Sequence, residues 1–135
     1  RSMFQQVRKL NVILLQQILE GKNMPNAAAM IHDVVRIPGK MLFIVIKSGD
    51  RFPEEARKSV GIALKESVWF LIDSGSPEAM LRQAIGKSCS RNDLSYEGKA
   101  GVAHLHIPQI APVLADRIRL AEQLTGIPVI IEGKQ

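Results

Sequence analysis

Aromatic residues and cysteines are scarce in this chain. Its 135 residues include four Phe, one Tyr, one Trp and a single cysteine, Cys89. With so few aromatics, the core must be built from aliphatic side chains. One cysteine excludes an internal disulfide, and a lone thiol is typical of a reducing compartment. We therefore expect an intracellular, cytoplasmic protein.

The chain also lacks a long apolar run. No stretch approaches the roughly 20 apolar residues that a helix needs to cross a bilayer. No charged and then apolar leader with a cleavage site stands at its start. Arg1 and Ser2, which precede Met3, are interpreted as a cloning remnant. The 46% share of apolar residues argues against disorder and, at this length, predicts a single domain over residues 1–135, either a whole protein or one excised from a larger protein.

Positive charge exceeds negative charge along the sequence. Eighteen Lys and Arg against thirteen Asp and Glu give a net charge of +5. Such a surplus favours polyanionic partners, namely nucleic acid or an anionic membrane surface. The positive residues are scattered and form no single run, so a protein that is basic without a dedicated anionic partner is the alternative.

The first helix is predicted at Phe4–Leu19, where apolar residues recur at spacings of three and four. Further apolar side chains widen this surface beyond one face, so the helix needs more than one neighbour. We predict that it packs on a second copy of the chain through Leu10, Leu14 and Ile18. A helix enclosed within the domain is the alternative.

Three further helices and one strand are predicted between Pro25 and Gly86. A helix is expected over Pro25–Val35, because proline suits a first helical turn. Lys40–Lys47 contains six consecutive apolar residues and predicts a strand buried on both faces. The longest helix is expected over Phe52–Ser74, and the next one begins at the capping residue Ser76 and ends at Gly86.

The end of the chain predicts a strand, a helix and a second strand. Gly101–Ile107 is the first candidate strand, and Ile110–Leu124 repeats apolar residues at helical spacing. Gly126 stops that helix, and the run Ile127–Ile131 is typical of a strand buried on both faces. The charges of the helix are expected to lie largely away from its apolar stripe: Asp116, Arg117, Arg119 and Glu122.

The predicted fold class is therefore α/β. It comprises a small three-stranded, at least partly parallel sheet with five helices, in the order α-α-β-α-α-β-α-β. The last two strands should run parallel across a right-handed crossover. The sequence shows no internal repeat.

Lys87–Ala100 is the most polar stretch and is predicted to be an exposed loop. Loops of this length inside a compact domain are often functional. Ammonium, guanidinium, hydroxyl and amide groups contact phosphates, and a tyrosine can stack on a base. Basic residues at both ends of the first strand join the loop if the fold gathers them into one patch. The predicted nucleic-acid contacts are Lys87, Arg91, Tyr96, Lys99, Arg36 and Lys47. A solvated loop without a ligand is the alternative.

His104 and His106 are the best candidates for chemistry. In a strand, residues two apart point to the same face, with Cα atoms about 6–7 Å apart. Two imidazoles can hold a metal if a third ligand joins them. That ligand would be Asp93, Glu97 or the distant His32, although the spacing matches no zinc template, so no metal or other cofactor is assigned. Two histidines facing solvent or a polar seam are the alternative.

Two other features carry weaker signals. Gly86-Lys87-Ser88 lacks the preceding glycine of a phosphate loop and follows a helix, so nucleotide binding there is not expected. Cys89 lies near Lys87 and Arg91, and nearby positive charge favours a thiolate. A pair with His104 or His106 is conceivable, but an unreactive free cysteine is preferred. No catalytic residue is assigned.

Three functions follow from these observations. The first is a small non-enzymatic module that self-associates through its first helix and binds an anionic partner, preferably nucleic acid, through the polar loop. The second is a metal-dependent or acid–base enzyme that uses His104 and His106. The third is a protein–protein adaptor subunit whose positive charge is incidental.

Overall fold

The chain contains both helices and strands, and the predicted α/β class is confirmed. A computed structural model describes residues 3–86 and 89–133. The first half contains α1 (Met3–Gly21), α2 (Pro25–Ala29), β1 (Ile31–Ile37), β2 (Met41–Ile46), α3 (Glu54–Leu64) and β3 (Ser67–Ile72). The second half contains α4 (Pro77–Gly86), a 3₁₀ turn (Arg91–Asp93), β4 (Leu94–Glu97), β5 (Val102–His106), α5 (Pro112–Thr125) and β6 (Val129–Glu132).

The described residues contain six strands in two sheets, where the sequence predicted three strands in one. The chain divides into two compact units, Arg1–Asp73 and Ser74–Gln135. In each unit an antiparallel hairpin is followed by a helix and a strand parallel to the second hairpin strand. The two units thus share one order of elements without a visible sequence repeat. A single folding domain over the whole chain stays a prediction.

Two predicted helices are each replaced in part by a strand. The helix expected over Pro25–Val35 ends at Ala29, and β1 follows from Ile31 to Ile37. The β-branched residues of this segment favour extended backbone, and their pairing with β2 decides the conformation. The helix expected over Phe52–Ser74 ends at Leu64, where Lys65 adopts a left-handed conformation with φ of 57°. β3 then begins at Ser67.

The core of the first unit lies between its sheet and its helices. Every residue of β2 is buried, as the continuous apolar run predicted. Leu15 and Leu19 of α1 pack in one cluster with Ala28 of α2 and with Val34 and Ile44 of the sheet. The long first helix is therefore anchored along one side only, because several apolar residues of its other side are exposed.

β6 lies at the edge of the second sheet in the described part of the chain. The crossover from β5 to β6 is parallel, as predicted. The expectation of a strand buried on both faces was wrong, since Ile130 and Ile131 are 45% and 48% exposed. The carboxylate of Glu122 accepts a hydrogen bond from the N–H of Val129 at 2.8 Å. The Glu122 side chain thereby satisfies one backbone N–H group at an exposed sheet edge.

Arg117 was expected to lie away from the apolar stripe of the last helix, and it does not. It is only 1% exposed and lies on the buried side of α5 with Leu114, Ile118 and Ala121. Its spacing already places it there, because residues three and four apart share a helix face.

Candidate functional site

His104 and His106 lie on the outer face of the second sheet. Their neighbours in β5, Ala103 and Leu105, are fully buried on the opposite face, because side chains alternate along a strand. The two imidazole rings are stacked with an interplanar angle of 14°, and their centres are 6.2 Å apart. The side chain of His104 is 20% exposed.

Two carboxylates surround these rings. Oε1 of Glu132 is 2.7 Å from Nδ1 of His104, and Oε2 of the same residue is 3.3 Å from Nδ1 of His106. Glu97 approaches the other nitrogen of His104, Nε2, at 3.5 Å. We call these four residues the His–Glu cluster. Glu97 was one of the carboxylates considered from the sequence, and Glu132 was missed.

The other proposed partners of the histidines are engaged elsewhere. Asp93 accepts a hydrogen bond from the N–H of Ser90 at 3.1 Å and forms a capping box around the 3₁₀ turn. His32 belongs to the first unit, where its Nδ1 lies 3.8 Å from a carboxylate oxygen of Asp73. Among the described residues, no group of three or more His, Cys, Asp or Glu side chains is arranged to hold a metal ion.

The His–Glu cluster favours a protonated imidazole. The hydrogen bond to Glu132 raises the pKa of His104 above its ordinary value, and the charges of Glu97 and Glu132 act in the same direction. Ser95 faces His104 across the β4–β5 pair. The raised pKa increases the fraction of protonated His104 at a given pH, so the cluster binds a proton at the sheet surface.

The proton affinity of His104 should depend on Glu132. We expect Glu132→Gln to lower the pKa of His104, because the variant loses the charged acceptor at Nδ1. NMR titration of the imidazole resonances measures this directly. A folded-state pKa above the unfolded value adds stability that is present below pH 6.5 and is lost as pH rises through the folded pKa. The stability deficit of the variant should therefore be larger at acidic pH than at alkaline pH.

Glu55→Gln provides the matched control for this titration. Glu55 is an exposed carboxylate of the first unit, and its removal should leave the His104 titration unchanged. An identical His104 pKa in wild type and Glu132→Gln would show that the hydrogen bond to Glu132 does not set the proton affinity.

The polar stretch proposed to bind nucleic acid is more ordered than predicted. Lys87 and the side chain of Arg91 lie outside what the structure describes. The expected loop contains the 3₁₀ turn and all of β4. Tyr96 is partly buried and pairs with the buried Ala103, whereas Lys99 is exposed in the hairpin turn. Lys99 is thus the one predicted basic contact of this stretch whose exposure is described.

Arg36 and Lys47 lie toward opposite ends of the first sheet. Arg36 pairs with Leu42, whereas Lys47 follows Ile46, so their Cα atoms are separated by roughly 16 Å along the strands. The guanidinium of Arg36 donates hydrogen bonds from Nε and one terminal nitrogen to Glu66, at 2.7–3.0 Å. This pairing raises the pKa of Arg36. Its charge is therefore already matched by a carboxylate.

The described surroundings of Cys89 favour its neutral thiol over the reactive thiolate. Its thiol donates to the carbonyl oxygen of Ile85 at 3.6 Å. Burial raises the pKa of this thiol, and the negative charge of Asp93 raises it further. These described influences favour the neutral thiol, while Lys87 and the side chain of Arg91, the positive neighbours noted in the sequence, lie outside the described residues.

An exposed apolar stripe follows the outer side of α1. Met3, Val7 and Leu10 are 78%, 46% and 64% exposed, and Leu14 continues the line while packing partly against the core. We call these four residues the α1 stripe. Of the three residues predicted to mediate self-association, Leu10 is fully at the surface, whereas Leu14 and Ile18 are half-buried. The exposed part lies nearer the start of the helix than predicted.

A cleft of about 440 Å³ opens between α3 and β3 in the first unit. A side chain at Gly61 would place its Cβ 3.3 Å from the carbonyl oxygen of Glu66, so this glycine permits the close approach of helix and strand. The cleft combines cationic, hydroxyl and aromatic side chains. Its principal lining residues are Arg57, Lys58, Ile62, Ser67 and Trp69. We call it the α3–β3 cleft.

Sequence reasoning missed this cleft for a definite reason. With Phe52–Ser74 treated as one helix, Lys58 and Trp69 are three turns apart along a single rod. The left-handed turn at Lys65 folds the chain back and brings both residues to one cleft. No glycine stands at that turn, so the usual signal for a left-handed helix end is absent from the sequence.

Comparison with known proteins assigns no family to the chain. The sequence matches no protein-family model. No curated protein matches it either. Within residues 3–86 and 89–133, no helix has the length and apolar character required to span a membrane.

Proposed function

We propose that this chain is a non-enzymatic binding module that self-associates through the α1 stripe. The observation that carries the proposal is the exposure of Met3, Val7 and Leu10 on a helix whose other side is already anchored. Contiguous exposed apolar surface of this kind marks interaction sites in soluble proteins. A cytoplasmic location belongs to the proposal and is supported by the single cysteine, which leaves no internal disulfide.

The contacts of α1 with its own unit determine which face of the helix is exposed. Leu15 and Leu19 are fully buried, and Arg8 forms an ion pair with Asp33 of β1. Gln16 donates a hydrogen bond to the carbonyl oxygen of Ala28 at 3.3 Å. These contacts hold the helix against its own unit, so the α1 stripe faces outward without any rearrangement.

A second copy of the chain is the partner that fits the stripe best. Met3, Val7, Leu10 and Leu14 are spaced by four, three and four residues, the repeat that packs helices into a coiled-coil seam. The residues beside the seam carry no charge before Glu20: Phe4, Gln6, Asn11, Ile13 and Ile18. Two copies therefore bring no like charges together.

Leu10→Asp tests this proposal. Placing a carboxylate at the centre of an apolar seam should raise the dimer dissociation constant by at least about 100-fold. Analytical ultracentrifugation over a concentration series measures the change, and circular dichroism verifies folding. Val7→Lys provides a second variant on the same seam.

Val113→Asp is the matched control, since Val113 is an exposed apolar residue of α5 in the second unit. We expect it to keep the wild-type mass. A monomeric wild type, or a folded Leu10→Asp variant of unchanged mass, would overturn the proposal. A monomer that captures an apolar helix of a different protein would instead support the adaptor function.

A further inference from the structure

We propose that a pocket between α1 and the start of β1 binds a small organic anion through the phosphate or carboxylate group of that molecule. The pocket has a volume of about 370 Å³ and lies within the first unit. We call it the α1–β1 pocket, and its lining residues are Gln5, Arg8, Lys9, Val12, His32 and Asp33. It shares no residue with the α1 stripe.

The pocket lies at the edge of the first sheet where its two parallel strands end. β1 runs antiparallel to β2, so Ile31 at the start of β1 pairs with Ile46 at the end of β2. Ile46 also pairs with Ile72, the last residue of β3. Open α/β sheets bind their ligands outside the carboxyl ends of the strands, and the pocket is at such an edge.

His32 stands outside the regular strand pairing at this edge. Ile31 pairs with Ile46 and Asp33 pairs with Val45, so β1 has one residue more than β2 at this point. Bulges of this kind redirect a side chain and are frequent beside active sites. The His32 side chain lines the pocket and is 44% exposed. The local backbone therefore presents an imidazole to the pocket.

Two side chains of the pocket can donate hydrogen bonds to an oxyanion. In the part of the chain that the structure describes, the ammonium group of Lys9 has no ion pair and no hydrogen bond. Nδ1 of His32 lies 3.8 Å from a carboxylate oxygen of Asp73. A protonated His32 directs one N–H toward Asp73 and offers the other, at Nε2, to a ligand. Lys9 and His32 thus supply donors from α1 and from β1.

The carboxylate of Asp33 does not oppose an anion in the pocket. It accepts hydrogen bonds from Nε of Arg8 at 3.2 Å, from a second guanidinium nitrogen of Arg8, and from the N–H of Val34 at 2.8 Å. These three donors satisfy the carboxylate and hold the guanidinium at the wall of the pocket. Arg8 and Lys9 together outweigh the charge of Asp33, so the lining keeps a surplus of positive charge.

The α1–β1 pocket and the α1 stripe lie on opposite sides of α1. Residues two apart on an α-helix differ in direction by about 200°. Val12 therefore points away from Leu10 and Leu14, and Gln5 points away from Met3 and Val7. Val12 gives the pocket an apolar contact for the body of a small ligand. A dimer formed through the stripe leaves this side of the helix accessible.

NMR titration of the imidazole resonances tests the proposal, because the chain has three histidines and one of them lines the pocket. We would titrate the full chain at about pH 6, where an ordinary imidazole is partly protonated, with inorganic phosphate and separately with acetate at constant ionic strength. We expect a saturable shift of the His32 resonances with at least one anion. His104 and His106 of the second unit should stay unchanged. The anion that binds more tightly identifies the group of the ligand as phosphate or carboxylate.

Two variants with the same change of charge locate the anion. Lys9→Gln should weaken binding at least about tenfold, because a hydrogen bond between charged groups is lost. Lys22→Gln is the matched control, since Lys22 follows the end of α1, about 20 Å along the helix from Lys9. At that distance the charge is screened, so the dissociation constant should change by less than about twofold. Far-UV circular dichroism verifies that both variants are folded.

Several results would overturn the proposal. His32 resonances that move with neither anion would show that the pocket binds no oxyanion. A shift shared by all three histidines, or equal affinities of the two lysine variants, would indicate a general effect of charge. Leu10→Asp should bind the preferred anion as tightly as wild type, so failure of self-association and failure of anion binding are separately visible.

Discussion

Replacing Arg36 by methionine should lower the free energy of unfolding by about 3 kcal/mol, because the variant leaves the Glu66 carboxylate buried without its charged partner. The Glu66 side chain has no exposed surface, and its remaining acceptor contact is with the N–H of Gly39. Urea unfolding monitored through Trp69 measures the loss, since the single tryptophan lies in the same unit.

A double variant distinguishes the ion pair from simple loss of packing. Arg36→Met combined with Glu66→Met removes both charges together and should be considerably more stable than Arg36→Met alone. Arg57→Met is the control, because it removes the exposed pair with Glu54 and should change stability little. If the double variant were as unstable as the sum of its single variants, the two charges would not be coupled.

The parts of the fold that were predictable are those with strong local signals. The apolar run of β2, the periodic stripe of α1 and the change from α5 through Gly126 to β6 each agree with the structure in type. Each of these segments is identified by the pattern of its own apolar residues. The pattern does not show that the chain makes two sheets, since that depends on which strands pair.

Two of the three missed strands, β1 and β3, were missed for a common physical reason, whereas β4 lies in the polar stretch predicted as a loop. β1 and β3 both follow a helix after one or two residues, and their apolar residues continue the helical spacing closely enough to extend the prediction. What ends the helix is the left-handed Lys65 in one case and pairing with β2 in both. Tertiary pairing overrides local propensity at these positions.

The His–Glu cluster was only half predictable. Strand alternation placed His104 and His106 on one face, and Glu97 was considered as a neighbour. Glu132 is 28 residues from His104 in sequence, and only the parallel register of β5 and β6 sets it beside the histidines. The predicted crossover made β5 and β6 neighbours, but it did not specify their register. A shift of one residue in that register moves every side chain to the other face of the sheet.

Arg117 is almost fully buried, although its guanidinium is charged. Its Nε donates to the carbonyl oxygen of Ala84 at 2.7 Å. Ala84 lies in the last turn of α4, where carbonyl groups lack partners within the helix. Arg117 thus caps one helix from the buried face of the next, and desolvation lowers the pKa of its guanidinium.

Two substitutions separate the volume of Arg117 from its hydrogen bond. Arg117→Ala should lower the free energy of unfolding by about 3–5 kcal/mol, because it leaves a cavity and exposes the Ala84 carbonyl to an apolar environment. Arg117→Met keeps most of the volume and removes a desolvated charge, so its loss should be limited to about 1–2 kcal/mol. Chemical denaturation followed by circular dichroism measures both. Equal losses in the two variants would mean that the guanidinium, rather than the space it fills, holds α4 against α5.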